Sequence, residues 1–405
     1  MAKNKKKKEN VRAPRYMAFL LTFVSKIYLG LFYKVKIDRK ALKEQKRGCF
    51  LIYNHYSNKD HYLSSAAVNY RRVNYVISGH FFFNKILAVG LPLARAIKKE
   101  QFKPDLMAIR KMRKVIEQNG IVAIAPAGQV SIDGAPIFIS KAIVKLIRMC
   151  KADVLALRMQ GSHLCFPKWR LGKRKCDMNL TFEKVLVAEE LENYTDDEIY
   201  EKVVKSIGVN EYLDQLEMKR KIKGKNIISG LENVLIKCPK CGSYYTHIAS
   251  KNTMSCTACG NTVIMDEYGF LKPKTNDDVC FEDETKWYDY QKAELEKELN
   301  NSEFSYSAKV RMSNNLAKEK VMEHVSDGVI TLTNDRFYYE SENYVKEFNY
   351  NMLIQLPFSI SPDNRVYFEV PDSEGTFSFC PIDERKEVIR FVQYIDIINS
   401  KREKE

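Results

Sequence analysis

The sequence predicts an α/β protein in which a layered domain with a mainly parallel sheet is followed by two smaller modules. The chain has 405 residues, more than one core of about 100–200 residues accommodates. Between about residues 48 and 165, short apolar runs alternate with helical patterns, which is typical of such a sheet. The 45% apolar content excludes a disordered chain, and 17 Gly with 12 Pro exclude a fibrous one.

The net charge of +15 is unevenly distributed along the chain. Residues 1–150 carry 30 basic and 8 acidic side chains, whereas residues 251–405 carry 19 basic and 29 acidic ones. A basic excess indicates an acidic partner, either nucleic acid or an anionic membrane. The distribution assigns that partner to the first third of the chain.

The first 36 residues combine a basic tail with an apolar segment. Tyr16–Val35 is largely apolar, with Lys26 near its centre. A central lysine costs about 2.5–3.5 kcal/mol in a spanning helix, whereas an interfacial helix lets Lys26 reach the headgroups. We therefore predict a membrane-interfacial helix. The alternatives are a true span, a buried helix of a soluble domain, and a secretory signal, although no small-x-small cleavage site follows.

Four strands and one helix are predicted for the layered domain. The strands are short apolar runs, and the helix starts after Asp105, a good N-cap, and ends at Gly120. The predicted strands are Cys49–Asn54, Val73–Ser78, Gly120–Pro126 and Asp153–Met159. In parallel sheets the loops beyond the carboxyl ends of the strands form the site. The loops after Tyr53 and Ile124 are therefore the candidates.

The first of these loops reads Asn54-His55-Tyr56-Ser57-Asn58-Lys59-Asp60. His55 and Asp60 can meet across a short strand-to-helix turn, so that the carboxylate holds one ring nitrogen and the other takes a proton. This is the general-base half of a catalytic triad without its serine, and the nucleophile would be a hydroxyl of the substrate. A hydrogen-bonded structural histidine is the alternative.

The second loop reads Ala125-Pro126-Ala127-Gly128-Gln129-Val130-Ser131. Proline and glycine after a strand predict a tight turn whose backbone N–H groups can face an anion. A plain surface loop is the alternative.

Two C-x-x-C-G knuckles predict a metal site farther along the chain. The thiols are those of Cys238, Cys241, Cys256 and Cys259, and the knuckles are separated by fourteen residues. Four thiolates with no open position indicate a structural zinc ribbon; iron and a dithiol redox pair are the alternatives. His247 lies between the knuckles and is not predicted as a ligand.

The six remaining cysteines are predicted to be buried free thiols. Together with metal thiolates they indicate a reducing cytoplasm. These cysteines are Cys49, Cys150, Cys165, Cys176, Cys280 and Cys380.

Together these motifs resemble the 1-acylglycerol-3-phosphate (lysophosphatidic acid) acyltransferase family, in the bacterial branch with a C-terminal zinc ribbon. The resemblance rests on NHYSNKD after a buried strand and on P-x-G-x-x-S after a later strand, and it extends to about residue 230. It implies a glycerolipid acyltransferase-like layered domain. Members are membrane-associated enzymes that move an acyl chain from acyl-CoA or acyl carrier protein to a glycerolipid hydroxyl.

By this resemblance His55 is the general base and Asp60 its orienting partner. A basic motif of the family is matched imperfectly by GLPLARAIKK, which offers Arg95, Lys98 or Lys99. The residues that the resemblance assigns to substrate binding are Asn54, Ser57, Arg95, Lys98, Gly128 and Ser131.

The second loop departs from the family pattern at two positions. The family usually has P-E-G-x-x-S, often with Arg before the Ser, whereas this chain has Ala127 and Val130 there. Both charged contributions to the acceptor site are therefore missing. The alternative function is a catalytically weak or inactive protein that keeps the acyltransferase fold and binds lipid or protein.

The last third of the chain is predicted as a small β domain. An acidic helical linker at Glu282–Asn300 precedes alternating strands and a terminal helix at Glu384–Lys401. This pattern is similar to a pleckstrin-homology-like (PH-like) barrel. Trp287 and Tyr288 are predicted to be packing residues rather than a site. The predicted strands are Gly328–Thr333, Arg336–Glu340, Met352–Ser359, Arg365–Val370 and Gly375–Cys380.

The sequence thus predicts an acyltransferase of bacterial phospholipid synthesis at the cytoplasmic face of the cell membrane, peripheral or monotopic. Its expected partners are an anionic membrane surface and a lysophospholipid acceptor, with a protein as the candidate partner of the C-terminal domain and no nucleic acid. The predicted divisions are a tail and interfacial helix (1–36), an acyltransferase domain (37–230), a zinc ribbon (231–275), a linker (276–300) and a PH-like domain (301–405).

Overall fold

The computed structural model of the chain describes most of its residues and consists of two compact units. The described residues are 10–83, 86–99, 105–170, 172, 174–315, 323–350, 353, 355–360, 366–372 and 375–402. The first unit comprises Met1–Ser131, Ala135–His163 and Cys176–Asp214, and the second comprises Ile132–Gly134, Leu164–Lys175 and Gln215–Glu405.

Residues 10–218 contain nine helices and seven strands among those described. In chain order these are α1 (Arg15–Phe32), β1 (Lys34–Asp38), α2 (Lys40–Glu44), β2 (Cys49–Tyr53), α3 (Asp60–Ala67), β3 (Val73–Ser78), α4 (Leu87–Leu93), β4 (Ile97–Lys99), α5 (Leu106–Glu117), β5 (Ile121–Ile124), α6 (Ala142–Cys150), β6 (Asp153–Gln160), α7 (Ser162–Cys165), β7 (Asp177–Leu186), α8 (Asp196–Ile207) and α9 (Glu211–Met218).

The first unit is built on a seven-stranded sheet with the order β1-β7-β6-β2-β5-β3-β4. Every neighbouring pair is parallel except β6 with β7, so the prediction of a mainly parallel sheet is confirmed. Strand β2 lies at the centre, and its residues Phe50, Leu51 and Ile52 are fully buried. Helices α5, α6 and α8 contribute to the core against this sheet.

The predicted elements of this unit are confirmed, with one correction. Strands β2, β3, β5 and β6 lie where apolar runs predict them, and the Asp105 carboxylate caps α5 by accepting a hydrogen bond from the Ala108 N–H at 2.8 Å. The apolar N-terminal segment does not stay helical to Val35, because α1 ends at Phe32 and β1 begins at Lys34. Strand β1 pairs in parallel with β7, and this pairing ends the helix.

Helix α1 buries four side chains and exposes nine large apolar ones. The buried positions are Ala18, Thr22, Ser25 and Leu29. The exposed face carries nine large apolar side chains: Tyr16, Phe19, Leu20, Leu21, Phe23, Val24, Ile27, Leu31 and Phe32. By length and composition α1 is also apolar enough to cross a membrane. An apolar outer face on a helix that is already packed on its inner face marks an interaction surface.

The second unit holds two sheets and two long helices. Its elements, in chain order, are β8 (His247–Ser250), β9 (Thr253–Cys256), β10 (Thr262–Met265), β11 (Leu271–Pro273), α10 (Glu284–Leu299), β12 (Ser305–Asn315), β13 (Glu323–Thr333), β14 (Phe337–Ser341), β15 (Tyr344–Phe348), β16 (Phe358–Ile360), β17 (Val366–Asp372), β18 (Gly375–Pro381) and α11 (Glu387–Arg402). The four strands β8 to β11 form a small antiparallel sheet.

The C-terminal sheet is antiparallel throughout, with the order β15-β14-β13-β12-β18-β17-β16. Lys346 on β15 and Asp372 on β17 form an ion pair of 3.3 Å, so the sheet curls enough to bring distant strands together. Helix α11 packs on it through Phe391, whose ring lies 5.1 Å from that of Phe368. Strands followed by a terminal helix are as predicted, and the PH-like assignment stays a prediction.

Two further predictions are partly wrong, for one strand and for the free cysteines, and one is confirmed. The strand predicted over Met352–Ser359 is wrong for residues 353 and 355–357, since only Phe358–Ile360 pairs with β17; Met352 and Ile354 lie outside the described residues. Cys280 and Cys380 are half-buried, whereas the four other non-ribbon cysteines are buried as predicted. Trp287 and Tyr288 are buried packing residues, as predicted.

The tight packing of β2 against α5 makes Gly48 irreplaceable. A Cβ added there would lie 2.1 Å from the carbonyl oxygen of Ile116, whereas a Cβ at Gly30 in α1 meets no atom within 4 Å. We predict that Gly48→Ala lowers the free energy of unfolding by at least about 2 kcal/mol, because backbone must move. Gly30→Ala should raise it by up to about 1 kcal/mol, since alanine is the better helix former. Urea unfolding of both variants measures this, and equal stabilities would contradict the packing.

Candidate functional site

The two loops singled out in the sequence meet at one edge of the first sheet. Strands β2 and β5 are adjacent and parallel, with Ile52 opposite Ile124, so both loops leave the sheet on the same side. The Ser131 N–H of the second loop donates to the His55 carbonyl oxygen of the first at 2.8 Å. The sheet therefore brings the predicted residues of the two loops together.

His55 and Asp60 form a hydrogen-bonded pair. The distance from His55 Nδ1 to Asp60 Oδ2 is 2.8 Å. The same oxygen accepts the backbone N–H groups of Tyr56 at 2.9 Å and Ser57 at 3.1 Å. An oxygen that already accepts two N–H groups is an acceptor toward the ring as well, so Nδ1 carries the proton and Nε2 carries the lone pair.

The surroundings of the pair differ at its two ends. The Asp60 side chain is only 1% exposed and lies in the first turn of α3, where the helix dipole favours a carboxylate. The His55 side chain is 27% exposed. Among the described residues none forms a hydrogen bond to His55 Nε2. The ring is thus held from behind and presents a proton acceptor outward, which is the geometry of a general base.

Asn54 and Ser57 hold the first loop in place. The Asn54 side chain donates to the Met159 carbonyl oxygen at 2.8 Å and accepts the Met159 N–H at 2.7 Å, which ties the end of β2 to β6. Ser57 Oγ accepts the Lys59 N–H at 2.8 Å within the turn. Both residues therefore position His55, and direct contact with a substrate stays a prediction.

Gly128 and Ser131 shape the second loop. Gly128 has a φ of 74°, a left-handed conformation that favours glycine, and its N–H donates to the Ala125 carbonyl oxygen at 3.1 Å. Ser131 is buried, and its Oγ donates to the Ala135 carbonyl oxygen at 2.8 Å. Both N–H groups already have partners inside the protein. An anion at this loop would consequently depend on other donors.

The two departures from the family motif give this loop an apolar character. Ala127 is half-buried and packs against the core of the sheet, and Val130 is 8% exposed. Neither position offers a charge to a phosphate. Gln129 lies between them, and its Oε1 is buried without a hydrogen-bond partner among the described residues. Sequence reasoning missed Gln129, because a single amide in a loop carries no pattern.

Arg95 precedes β4, the edge strand of the first sheet, and Lys98 lies on that strand. The Arg95 guanidinium donates to the carbonyl oxygen of Arg12 at 2.8 Å and also to that of Asn10. It therefore fastens the segment that leads into α1. Lys98 is half-buried on β4, opposite Ile77 of β3. A contact of either side chain with substrate stays a prediction.

Two buried side chains that the sequence did not suggest, Tyr56 of the first loop and Glu211, form hydrogen bonds to partners distant in sequence. The Tyr56 hydroxyl bonds the backbone of Val209, and the Glu211 carboxylate accepts the N–H groups of Gly161 at 2.7 Å and His163 at 3.3 Å. Both contacts span more than 45 positions of sequence. Such long-range pairs leave no local signal.

The four knuckle cysteines of the second unit converge as predicted. Their sulfur atoms all lie within 4.8 Å of one another. Cys238 Sγ and Cys259 Sγ are 3.8 Å apart, as are Cys241 Sγ and Cys256 Sγ. A tetrahedral site with Zn–S bonds of about 2.3 Å has sulfur–sulfur edges of about 3.8 Å. The four thiols could therefore bind a metal ion, and their spacing fits zinc.

His247 stands apart from the thiols and belongs to the packing of the ribbon. Its Nδ1 lies 2.6 Å from the Leu235 carbonyl oxygen, and its ring meets that of Trp287 edge-on at 5.4 Å. Burial lowers the pKa of His247, which keeps the ring neutral at neutral pH.

The first knuckle is also fastened to the rest of the second unit by aromatic and charged side chains. The Tyr244 hydroxyl donates to Glu298 Oε1 of α10 at 2.7 Å, and the Tyr245 and Tyr306 hydroxyl oxygens are 3.0 Å apart. Arg390 of α11 pairs with Glu298 at 2.6 Å and covers the Tyr244 ring at 4.2 Å. The ribbon, α10 and the C-terminal sheet thus share one polar cluster.

We predict that Cys256→Ser removes the bound metal and destabilises the second unit. Three thiolates hold zinc less tightly than four, and structural zinc contributes directly to folding free energy. Elemental analysis of the purified chain should find about one zinc per molecule, falling well below half in Cys256→Ser. Cys380→Ser, at a half-buried thiol outside the cluster, is the control and should keep its metal. Equal metal contents in all three proteins would contradict the site.

Of three comparisons with known proteins, only the one with solved structures finds a similar protein. No protein-family model matches the chain, and a search of curated proteins gives no match. Among solved structures it is similar to the crystal structure of the 1-acyl-sn-glycerophosphate (LPA) acyltransferase PlsC from Thermotoga maritima. The TM-score is 0.42 with 16% identity, covering 50% of this chain and 81% of that one.

Proposed function

We propose that the chain is an acyltransferase that moves a fatty acyl group from acyl-CoA or acyl carrier protein to the hydroxyl of a lysophospholipid. The observation that carries this proposal is the His55–Asp60 pair, with Asp60 Oδ2 on Nδ1 at 2.8 Å and Nε2 left open. A base held in this way suits the removal of a proton from a hydroxyl. The resemblance of the two loop motifs supplies the substrate class.

The proposed reaction needs only the residues of this site. His55 Nε2 takes the proton of the acceptor hydroxyl as its oxygen attacks the thioester carbonyl carbon. The carbon–sulfur bond then breaks, and the imidazolium returns the proton to the departing thiolate. The buried Asp60 carboxylate stabilises the imidazolium between these steps. A thioester is already activated, so no nucleophile of the enzyme is required.

A lipid acceptor requires access to a membrane, and α1 provides a surface for it. Nine large apolar side chains are exposed on this helix. Burial of such a face in the headgroup region stabilises peripheral binding, and cations nearby add to it on an anionic surface. We place the protein on the cytoplasmic face of the membrane; residues 1–9, which carry the lysine-rich tail, lie outside the described residues.

A second function remains a candidate because of the apolar second loop. With Ala127 and Val130 in place of two charges, the first unit could bind a lipid or a protein without catalysis. An acyl-transfer assay of the wild-type chain distinguishes these two functions. Acyl transfer no faster than background with several lysophospholipid acceptors would favour the non-catalytic protein.

Replacing the proposed base is the sharpest variant. We predict that His55→Ala lowers kcat/KM for acyl transfer to lysophosphatidate by about 10²–10⁴-fold, because the hydroxyl loses its proton acceptor. Asp60→Asn should also lower it, since the amide cannot stabilise the imidazolium. His61→Ala, at the exposed neighbouring histidine, is the matched control and should stay within about twofold of wild type. Retained turnover in a folded His55→Ala protein would refute the role.

The membrane surface has its own test. We predict that Leu20→Glu/Val24→Glu weakens binding to phospholipid vesicles at least about tenfold, because two apolar side chains no longer enter the bilayer. Leu213→Glu/Leu216→Glu on α9 makes the same chemical change at similarly exposed positions and is the control. Sedimentation with vesicles measures both. Equal losses in the two variants would contradict docking through α1.

A further inference from the structure

A groove beside α1 has features that the proposed reaction does not use. It has a volume of about 490 Å³. It lies in the first unit, between β1 with α2 on one side and the end of α3 on the other. Its lining residues are Ile37, Asp38, Arg39, Lys40, Lys43, Glu44 and Asn69.

The cations of the groove form no ion pair with a carboxylate among the described residues. Arg39, Lys40 and Lys43 line it, and Lys26 reaches its rim by donating to Asn69 Oδ1 at 2.6 Å. Within the described part of the chain, none of these four side chains forms an ion pair. Asp38 and Glu44 also line the groove, so four cations against two carboxylates leave it a net charge of +2, and Asp38 accepts the Lys40 N–H at 2.9 Å. The four cations therefore remain available to an anion.

One of the cations is fixed in place before any ligand arrives. Arg39 donates through Nε to the Ala67 carbonyl oxygen at 2.8 Å and through Nη2 to that of Ala66 at 3.1 Å. These bonds hold the guanidinium at the carboxyl end of α3. Partial burial, and then the charge of Arg39, lower the pKa of Lys26, so the two cations feel each other. An anion between them would relieve that repulsion.

The groove opens beside the apolar face of α1. The Lys26 ammonium lies 4.4 Å from the centre of the Tyr70 ring, and Tyr70 stacks on Phe19 at 5.5 Å. Phe19 in turn stacks on Phe23 at 5.7 Å. Cationic side chains thus adjoin an exposed aromatic surface. This is the arrangement of a phospholipid site, with the headgroup at the cations and the acyl chains along the apolar side chains.

We propose that this groove binds the headgroup of an anionic phospholipid in the bilayer, at a place separate from the His55 loop. The proposal rests on the membrane docking proposed above, because only a docked protein brings the groove to the headgroups. Bound there, the lipid anchors α1 by charge as well as by apolar burial. Lys40 and Lys43 contact the headgroup through flexible side chains, whereas the Arg39 guanidinium is already held by its hydrogen bonds to Ala66 and Ala67.

The test compares vesicle binding of two charge-matched variants of the full-length protein. Lys40→Gln/Lys43→Gln removes two groove cations, and Lys111→Gln/Lys145→Gln removes two exposed cations from α5 and α6. On vesicles of phosphatidylcholine with 30 mol% phosphatidylglycerol, the groove variant should bind roughly tenfold or more weakly than wild type. The control should change less than about threefold. On pure phosphatidylcholine vesicles, all three proteins should bind alike.

Each contrary result has a separate meaning. Equal losses in both variants on the anionic vesicles would overturn the groove and leave the membrane docking intact. Absence of wild-type binding to either kind of vesicle would overturn the docking and the groove together. Full displacement from anionic vesicles by millimolar glycerol 3-phosphate would show a site for soluble phosphate esters and would also overturn the lipid assignment. Matching thermal midpoints show that the variants are folded.

Discussion

The arrangement of the first unit depends on the pairing of β2 with β5 on one side and β6 on the other. Strand β2 is buried on both faces, and its neighbours β5 and β6 run parallel to it. Parallel pairing makes the loops after β2 and β5 leave the same edge of the sheet. The His55 loop and the Ser131 loop can therefore bond each other, and Asn54 can clamp the first of them to β6. The position of the His55–Asp60 pair at that edge follows from the sheet.

Within the edge, a single carboxylate organises the reactive group. Asp60 Oδ2 accepts hydrogen bonds from the ring N–H of His55 and from two backbone N–H groups. These bonds fix both the loop and the ring tautomer. The second unit is likewise organised around one centre, which is the group of four cysteine thiols. Four thiols define one point, and a cluster of tyrosines around Arg390 and Glu298 holds the knuckle against α10 and α11.

Much of this could be predicted from the sequence wherever the signal is local. Continuous apolar runs located β2 and β3, the Asp105 cap located α5, and the cysteine spacing located the thiol cluster. The pairing of His55 with Asp60 also follows from their short separation across a turn. Local patterns failed where tertiary pairing decides. The alternating, lysine-rich β1 is not predicted from the sequence, because its partner β7 lies about 140 residues away.

Local sequence patterns also fail to predict side-chain contacts that depend on tertiary structure. Arg95 matched a basic motif, yet the structure gives its guanidinium to the carbonyl groups before α1, because the chain entering the helix passes there. Asn54 and Ser57 stand in the right loop, and their observed contacts position it. Tyr56 ties the loop to Val209, and Glu211 holds the turn after β6; these partners are distant in sequence, and no motif records such contacts. Composition assigns the basic excess to the first third, and part of that excess lines the groove beside α1.

In the proposed reaction, His55 activates the acceptor hydroxyl directly, without an acyl-enzyme intermediate. Initial rates measured with the thioester donor and the lysophospholipid acceptor both varied test it most directly. Direct transfer requires both substrates on the protein at once, so double-reciprocal plots should intersect, and mass spectrometry should find no acylated chain after incubation with the donor alone. Parallel lines with a covalently acylated protein would show a ping-pong reaction and would contradict the account.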